Sequence, residues 1–281
     1  MSWSTFSQIF RHRRKYLSVM ENSLQEIAEY RLNFVLSFAY TLIPLASFIL
    51  LWLAIYASQT STSATIGDYS LSDMITYYIL ATWVNELNAS ERYIWRPSAD
   101  INTGRLSLLL LRPLDSISYY FFIDLAATLP YSLMGIGLIA GFVVLLRIDL
   151  VHPNSFWTFS LFVIAVILGY LLSFIIGILR AIPTFWLENT SGFNQLLDWV
   201  IMIFSGSLIP LSVLPPSLQH LSLWLPFQYL VFFPVNIYLG QVPLLEALQG
   251  LIIELIWLIA SFVGLRLAWR YGLRRYTAIG G

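Results

Sequence analysis

This sequence predicts an all-α membrane protein: six transmembrane helices, an N-terminal interfacial amphipathic helix, and a re-entrant outer helical hairpin between spans five and six. Two observations carry that prediction. The first is composition. Hydrophobic residues make up 58% and charged residues 11%, with a mean hydropathy of +0.74, whereas soluble domains carry about 25% charged residues. The second is where the charges fall. Six apolar stretches, at 32–57, 72–89, 119–146, 157–179, 196–214 and 245–269, approach the ~20 residues that cross ~30 Å of hydrocarbon. Threaded alternately, they leave fourteen of the fifteen Lys and Arg residues on one side: Arg11, Arg13, Arg14, Lys15, Arg31, Arg92, Arg96, Arg105, Arg112, Arg180, Arg266, Arg270, Arg274 and Arg275. Only Arg147 falls on the other. By the positive-inside rule both termini are cytoplasmic.

The chain divides into an N-terminal segment, 1–31, and a six-span domain, 32–281. In the first, Phe6, Ile9, Phe10, Leu17, Met20, Leu24 and Ile27 recur at steps of three and four opposite Arg, Lys and Glu. That pattern over 5–30 describes a helix lying in the headgroup plane or on a cytoplasmic partner. The segment has no signal-peptide apolar core, so insertion is expected to rely on the spans themselves. Lipid headgroups explain the basic cluster at 11–15 better than nucleic acid does.

Span one is uniformly apolar. Span two contains Thr76, Tyr77, Tyr78, Thr82, Asn85 and Glu86, which lipid would penalise, so it should face protein or a wet cavity. Span three carries Pro130 near its middle, and Gly137 with Gly141 forms a small-xxx-small face suited to close helix packing. Span five is short and ends in Ser205-Gly206-Ser207-Leu208-Ile209-Pro210. Six of the twelve prolines then fall between Pro210 and Pro243. The apolar pieces between them are too short to cross, and fit a hairpin dipping into the outer leaflet with its backbone covered by protein.

Catalytic chemistry finds little to work with. His12, His152 and His220 are dispersed and there is no cysteine, so a metal centre, a Ser–His relay or a disulfide is poorly supported. The only lysine, Lys15, follows Arg14, which rules out a G-x-x-x-x-G-K-[ST] phosphate loop. If ATP drives this protein, another chain binds it. Among the acidic residues near the spans, Glu86, Asp124 and Asp198 lie toward the cytoplasmic rim, where Arg92, Arg180 or water can meet them. Glu254 lies about nine residues into span six, ~14 Å deep at 1.5 Å per residue. It is either a functional group or a buried carboxyl hydrogen-bonded to a neighbouring helix.

The loop after span two is the most specific passage. In SERYIWRPSADINTGRLSLLLLRPLDSIS, Pro97 can open a short helix and Gly104 can close one in a left-handed cap. Arg112-Pro113 breaks the chain, and Asp115 or Ser116 can cap span three. Such a loop suits docking on a cytosolic partner.

Asp100-Ile101-Asn102-Thr103-Gly104-Arg105-Leu106, followed by Leu110-Leu111-Arg112-Pro113-Leu114, resembles the D-I-x-x-G-x-L…L-L-R-P-L signature of ABC-2 type transporter permeases. It is most similar to a bacterial subgroup near the multidrug-export permeases. Glu29-Tyr30-Arg31, Gly67-Asp68-Tyr69-Ser70, Gly206 to Leu211 and Leu225-Pro226-Phe227 match further family patterns. The resemblance implies a permease subunit of an exporter in a bacterial inner membrane, not itself an enzyme. It pairs with a second permease chain, identical or sister, and docks on separate cytosolic ATPase subunits that bind ATP and Mg. Pro97, Asp100, Ile101, Gly104, Arg105, Arg112 and Pro113 would form the ATPase-coupling loop. Tyr77, Tyr78, Asn85 and Glu86, with Glu254, are candidates for the translocation path. No catalytic residue, cofactor or metal is expected in this chain. The competing reading is an ATP-independent secondary transporter or channel. Those usually show two related halves with paired broken helices, and here only span five is broken.

Overall fold

The computed structural model describes residues 20–21, 31–59, 65–88, 91–112 and 114–276. The helix expected over 5–30 falls almost wholly outside them, as does Pro113. Among the described residues ten α-helices follow in order: α1 Arg31–Ala57, α2 Leu71–Asn88, α3 Glu91–Asn102, α4 Arg105–Leu110, α5 Ser116–Leu146, α6 Phe156–Ala181, α7 Ser191–Phe204, α8 Pro216–Ser222, α9 Phe232–Tyr238 and α10 Leu244–Arg275. Single 3₁₀ turns occupy Ile182–Phe185, Leu211–Val213 and Pro226–Leu230. Three stretches, Ser116–Leu146, Phe156–Phe185 and Leu244–Arg275, are long and apolar enough to cross a membrane, and Thr41–Ala57 is a shorter apolar helix. The protein is therefore helical and membrane-embedded.

Local chemistry sets the helix starts. The Asp115 carboxylate accepts the Ser118 N–H at 2.9 Å, and the Ser155 hydroxyl accepts the Thr158 N–H at 3.1 Å. Each satisfies one of the unpaired first-turn donors of α5 and α6. Pro243 precedes α10, where a missing N–H costs nothing. α6 is the hub, packed against α10, α9 and α3, while α2 packs on α5 and α1. One apolar core gathers Leu45, Met74, Tyr77, Leu172, Val231 and Val235. A second, at the α3–α4 end of the bundle, gathers Ile101, Leu106, Ile117, Tyr120, Ile178, Leu265 and Trp269.

Three expectations change here. The stretch 196–214 is not one helix: α7 stops at Phe204, because Gly206 takes a left-handed φ of 80° and Pro210 follows. At 14 residues, α7 extends only ~21 Å. Pro97 does not open a helix but lies inside α3, where it removes one backbone hydrogen bond. Gly137 and Gly141 pack on no helix among the described residues: a Cβ at either would meet nothing within 4 Å.

Candidate functional site

The loop between α2 and α5 folds into two short helices held against the ends of the long ones. Gly104 separates them with φ 76°, a left-handed turn in which a Cβ would be strained. Ile101, Leu106 and Leu109 are buried in the second core. Polar ties complete the seat. Asp100 accepts the Tyr120 hydroxyl at 3.1 Å and sits 3.6 Å from the Arg105 guanidinium. Asn102 Nδ2 donates to the Glu188 carbonyl at 3.1 Å, and the Ser107 and Tyr276 hydroxyls meet at 3.1 Å. The other face of the loop is open. Trp95, Leu108 and Leu111 are exposed, Leu111 by 83%, beside exposed Arg105 and Arg112. An apolar patch rimmed by cations is a surface made for contact. Of the coupling-loop candidates, Pro97, Asp100 and Ile101 are buried, Gly104 is half-buried, and Arg105 and Arg112 are presented outward, as are the intervening Asn102 and Thr103.

Asp115 fastens the next corner. Burial works against its charge, but the Arg266 guanidinium at 2.6 Å and the Ser118 N–H and hydroxyl outweigh it and hold the carboxyl below its ordinary range. This contribution to stability is present above the ordinary carboxylate pKa and fades as pH falls through the lowered one. The Arg266 guanidinium also lies 5.2 Å over the Phe262 ring.

Behind the loop, a cavity of about 360 Å³ lined by both polar and apolar side chains opens between α2, α6 and α7. Asn85 and Asn88 line it from α2, Ser173 and Arg180 from α6, Gln195 and Asp198 from α7. Arg180 and Asp198 form an ion pair, and Arg180 also donates to the Asn194 carbonyl at 3.2 Å. Asn88 Nδ2 donates to the Leu230 carbonyl at 2.6 Å, while its Oδ1 is buried without a hydrogen-bond partner among the described residues. Sequence reasoning placed Asp198 within reach of Arg180 and Asn85 beside a wet space. It did not find Gln195, Asn88 or Ser173, whose only signal is polarity spaced along faces that converge in three dimensions.

The remaining candidates lie outside this cavity. Tyr77 and Tyr78 are 0% and 2% exposed and line no part of that cavity; their hydroxyls donate to the Gly206 and Leu208 carbonyls at 2.7 and 2.9 Å. They hold the irregular backbone after α7. Tyr69 adds to this clasp by donating to Asn236, and burial pushes its hydroxyl up to about 12. The turn at Gly67 and Asp68, both at positive φ, closes over it, with Ser212 Oγ donating to the Gly67 carbonyl at 3.1 Å. Glu86 accepts the Thr41 hydroxyl at 2.6 Å, and Asp124 accepts that of Tyr170 at 2.7 Å. Glu254 is fully buried, and neither carboxyl oxygen has a hydrogen-bond partner among the described residues. It abuts Gly169, where a Cβ would lie 2.9 Å from the Tyr229 carbonyl and 3.6 Å from Glu254 Oε1. The hydrogen bond expected for it on a neighbouring helix is thus not formed among the described residues.

The described residues thus form a helical membrane protein with a loop seated on the span ends by one face and exposed on the other. The family model for the ABC-2 family transporter protein matches residues 42–280. The chain belongs to that family, as the motif around Gly104 anticipates, and is a permease component of an ABC transporter. No curated protein matches it.

Proposed function

We propose that this chain is the permease subunit of an exporter, worked by separate ATPase subunits that dock on α3 and α4, with two permease chains forming the route. The chain crosses a bacterial inner membrane six times, its α3–α4 end and both termini in the cytoplasm. The region between α7 and α10 re-enters from the outside. One observation carries the reading: Leu106 is fully buried against the span ends while Leu108 and Leu111 beside it face outward. A push on that face is transmitted to α6 and α10 by packing, since close-packed interiors are stiff. The cavity between α2, α6 and α7 then lies just behind the coupling loop on the cytoplasmic side, where cargo for export would enter.

The absence of cysteine makes orientation directly testable. An Asn102→Cys variant in intact cells should resist a membrane-impermeant thiol reagent and react once the cells are opened. Labelling in intact cells would defeat both orientation and docking.

A second test concerns coupling. Gly104→Val forces a β-branched residue into the left-handed region at a cost of about 1–2 kcal/mol. ATP hydrolysis by the co-purified ATPase should fall about tenfold, whereas Gly104→Asn, which tolerates that conformation, should keep most of it. Equal rates in both variants would refute the coupling role. Transport by the purified chain alone in an ion gradient would point to a secondary transporter.

A further inference from the structure

Arg147 is out of place three times over. On the proposed topology it is the single cation among fifteen on the outer side, where the positive-inside rule disfavours it. It occupies the left-handed cap of α5, with φ 52° and ψ 44°, a position that normally goes to Gly or Asn and costs another residue roughly 1–2 kcal/mol. Its side chain is exposed and has no hydrogen-bond or ion-pair partner among the described residues. A residue kept against both backbone and topology preference needs something to bind.

What lies beside it is an apolar trough. A groove of about 550 Å³ runs between the outer halves of α1 and α5 and the first turns of α2. Ile49, Leu50 and Leu53 line it from α1, Leu71 and Ile75 from α2, Phe142 and Leu146 from α5. Leu50 is 67% exposed. Ala46 to Leu53 extends ~10 Å along the helix, the depth of several methylenes of an acyl chain. At the rim stand Arg147 and, two residues on, Asp149, which is likewise exposed and without a hydrogen-bond or ion-pair partner among the described residues. Ser72 is the one uncharged polar side chain in the lining. The surface therefore offers one cation, one anion and a greasy slot running away from them.

We infer that this groove binds one phospholipid with an ethanolamine headgroup: the phosphate on Arg147, the primary ammonium toward Asp149, and an acyl chain between α1 and α5. A phosphate alone would be repelled by the carboxylate. A trimethylated choline headgroup offers no N–H to it. An ethanolamine phospholipid satisfies both charges. The assignment to the outer leaflet rests on the orientation proposed above; the site itself does not, so a reversed orientation in the Asn102→Cys experiment would move the lipid to the other leaflet without abolishing it.

The test is lipid retention. The purified permease complex is equilibrated in nanodiscs of phosphatidylcholine doped with phosphatidylethanolamine or phosphatidylglycerol, then released, and its bound lipids are counted by native mass spectrometry. Phosphatidylethanolamine should be retained over phosphatidylcholine about fivefold, the size of one exposed ion pair. Asp149→Asn should erase that preference while keeping a bound phospholipid. Arg147→Gln should lose the lipid. Arg147→Gly should also lose it yet unfold at a higher temperature in detergent, because the strained cap is relieved; that opposite sign separates lost binding from misfolding. Retention unchanged in Arg147→Gln, a preference for phosphatidylglycerol, or cross-links from Leu50→Cys to a second copy of the chain filling the groove would each overturn the proposal.

Discussion

Gly206→Val is expected to lower the stability of the detergent-solubilised protein by about 2–5 kcal/mol, the sum of left-handed backbone strain and overpacking. Gly206 holds φ 80°, and a Cβ there would sit 2.8 Å from both Phe232 Cβ and the Tyr77 hydroxyl. Neither neighbour can retreat. Phe232 is fixed by its N–H to the Ser205 carbonyl at 2.9 Å, and Tyr77 is fully buried with its hydroxyl on the Gly206 carbonyl. The clasp that lets irregular backbone follow α7 would open, leaving carbonyls unpaired in an apolar setting. Tyr77→Phe removes only one hydrogen bond and should cost about 1 kcal/mol. Unfolding curves in graded denaturing detergent read both. A Gly206→Val variant as stable as the parent would show that the clasp does not hold this segment.

The second large effect is at the cavity, and it is asymmetric. In the Arg180–Asp198 pair the arginine side chain is 7% exposed and the aspartate 32%. Asp198→Leu therefore removes the carboxylate from a buried guanidinium that keeps its bond to the Asn194 carbonyl, and should cost about 3 kcal/mol, the lower end for breaking a buried pair. Arg180→Leu leaves a carboxylate that reaches water and should cost less. The double Leu variant should recover much of the loss, because replacing both members of an ion pair by apolar groups is often neutral. A thermal-unfolding double-mutant cycle measures this. Strict additivity of the two single costs would mean that the pair is not coupled and that the cavity wall is held by something else.

These outcomes bear on what linear order can reveal. Tyr77 and Tyr78 stand out in the sequence as polar groups in a span, and their polarity rightly signals a neighbour other than lipid. Their partners, however, lie 129 and 130 residues away, so no local rule could separate a clasp from a cavity wall. Asn85 carries the same local signal and does line the cavity. Span five shows the reverse case: Gly206 and Pro210 announce a break in plain sight, and the helix stops just before them, at Phe204, but which side chains hold the irregular backbone that follows is set by distant residues.

Charge placement, the run lengths behind Ser116–Leu146, Phe156–Phe185 and Leu244–Arg275, and the loop motif around Gly104 belong to the amino-acid order alone. Hydrocarbon tolerates only helices of a set length, and a left-handed turn favours one residue type. The joining of Arg180 to Asp198, the burial of Glu254 against Gly169, and the trough beneath Arg147 were decided only by tertiary packing. Each of these brings together side chains from separate helices, and helix rotation and register are set by what packs against what.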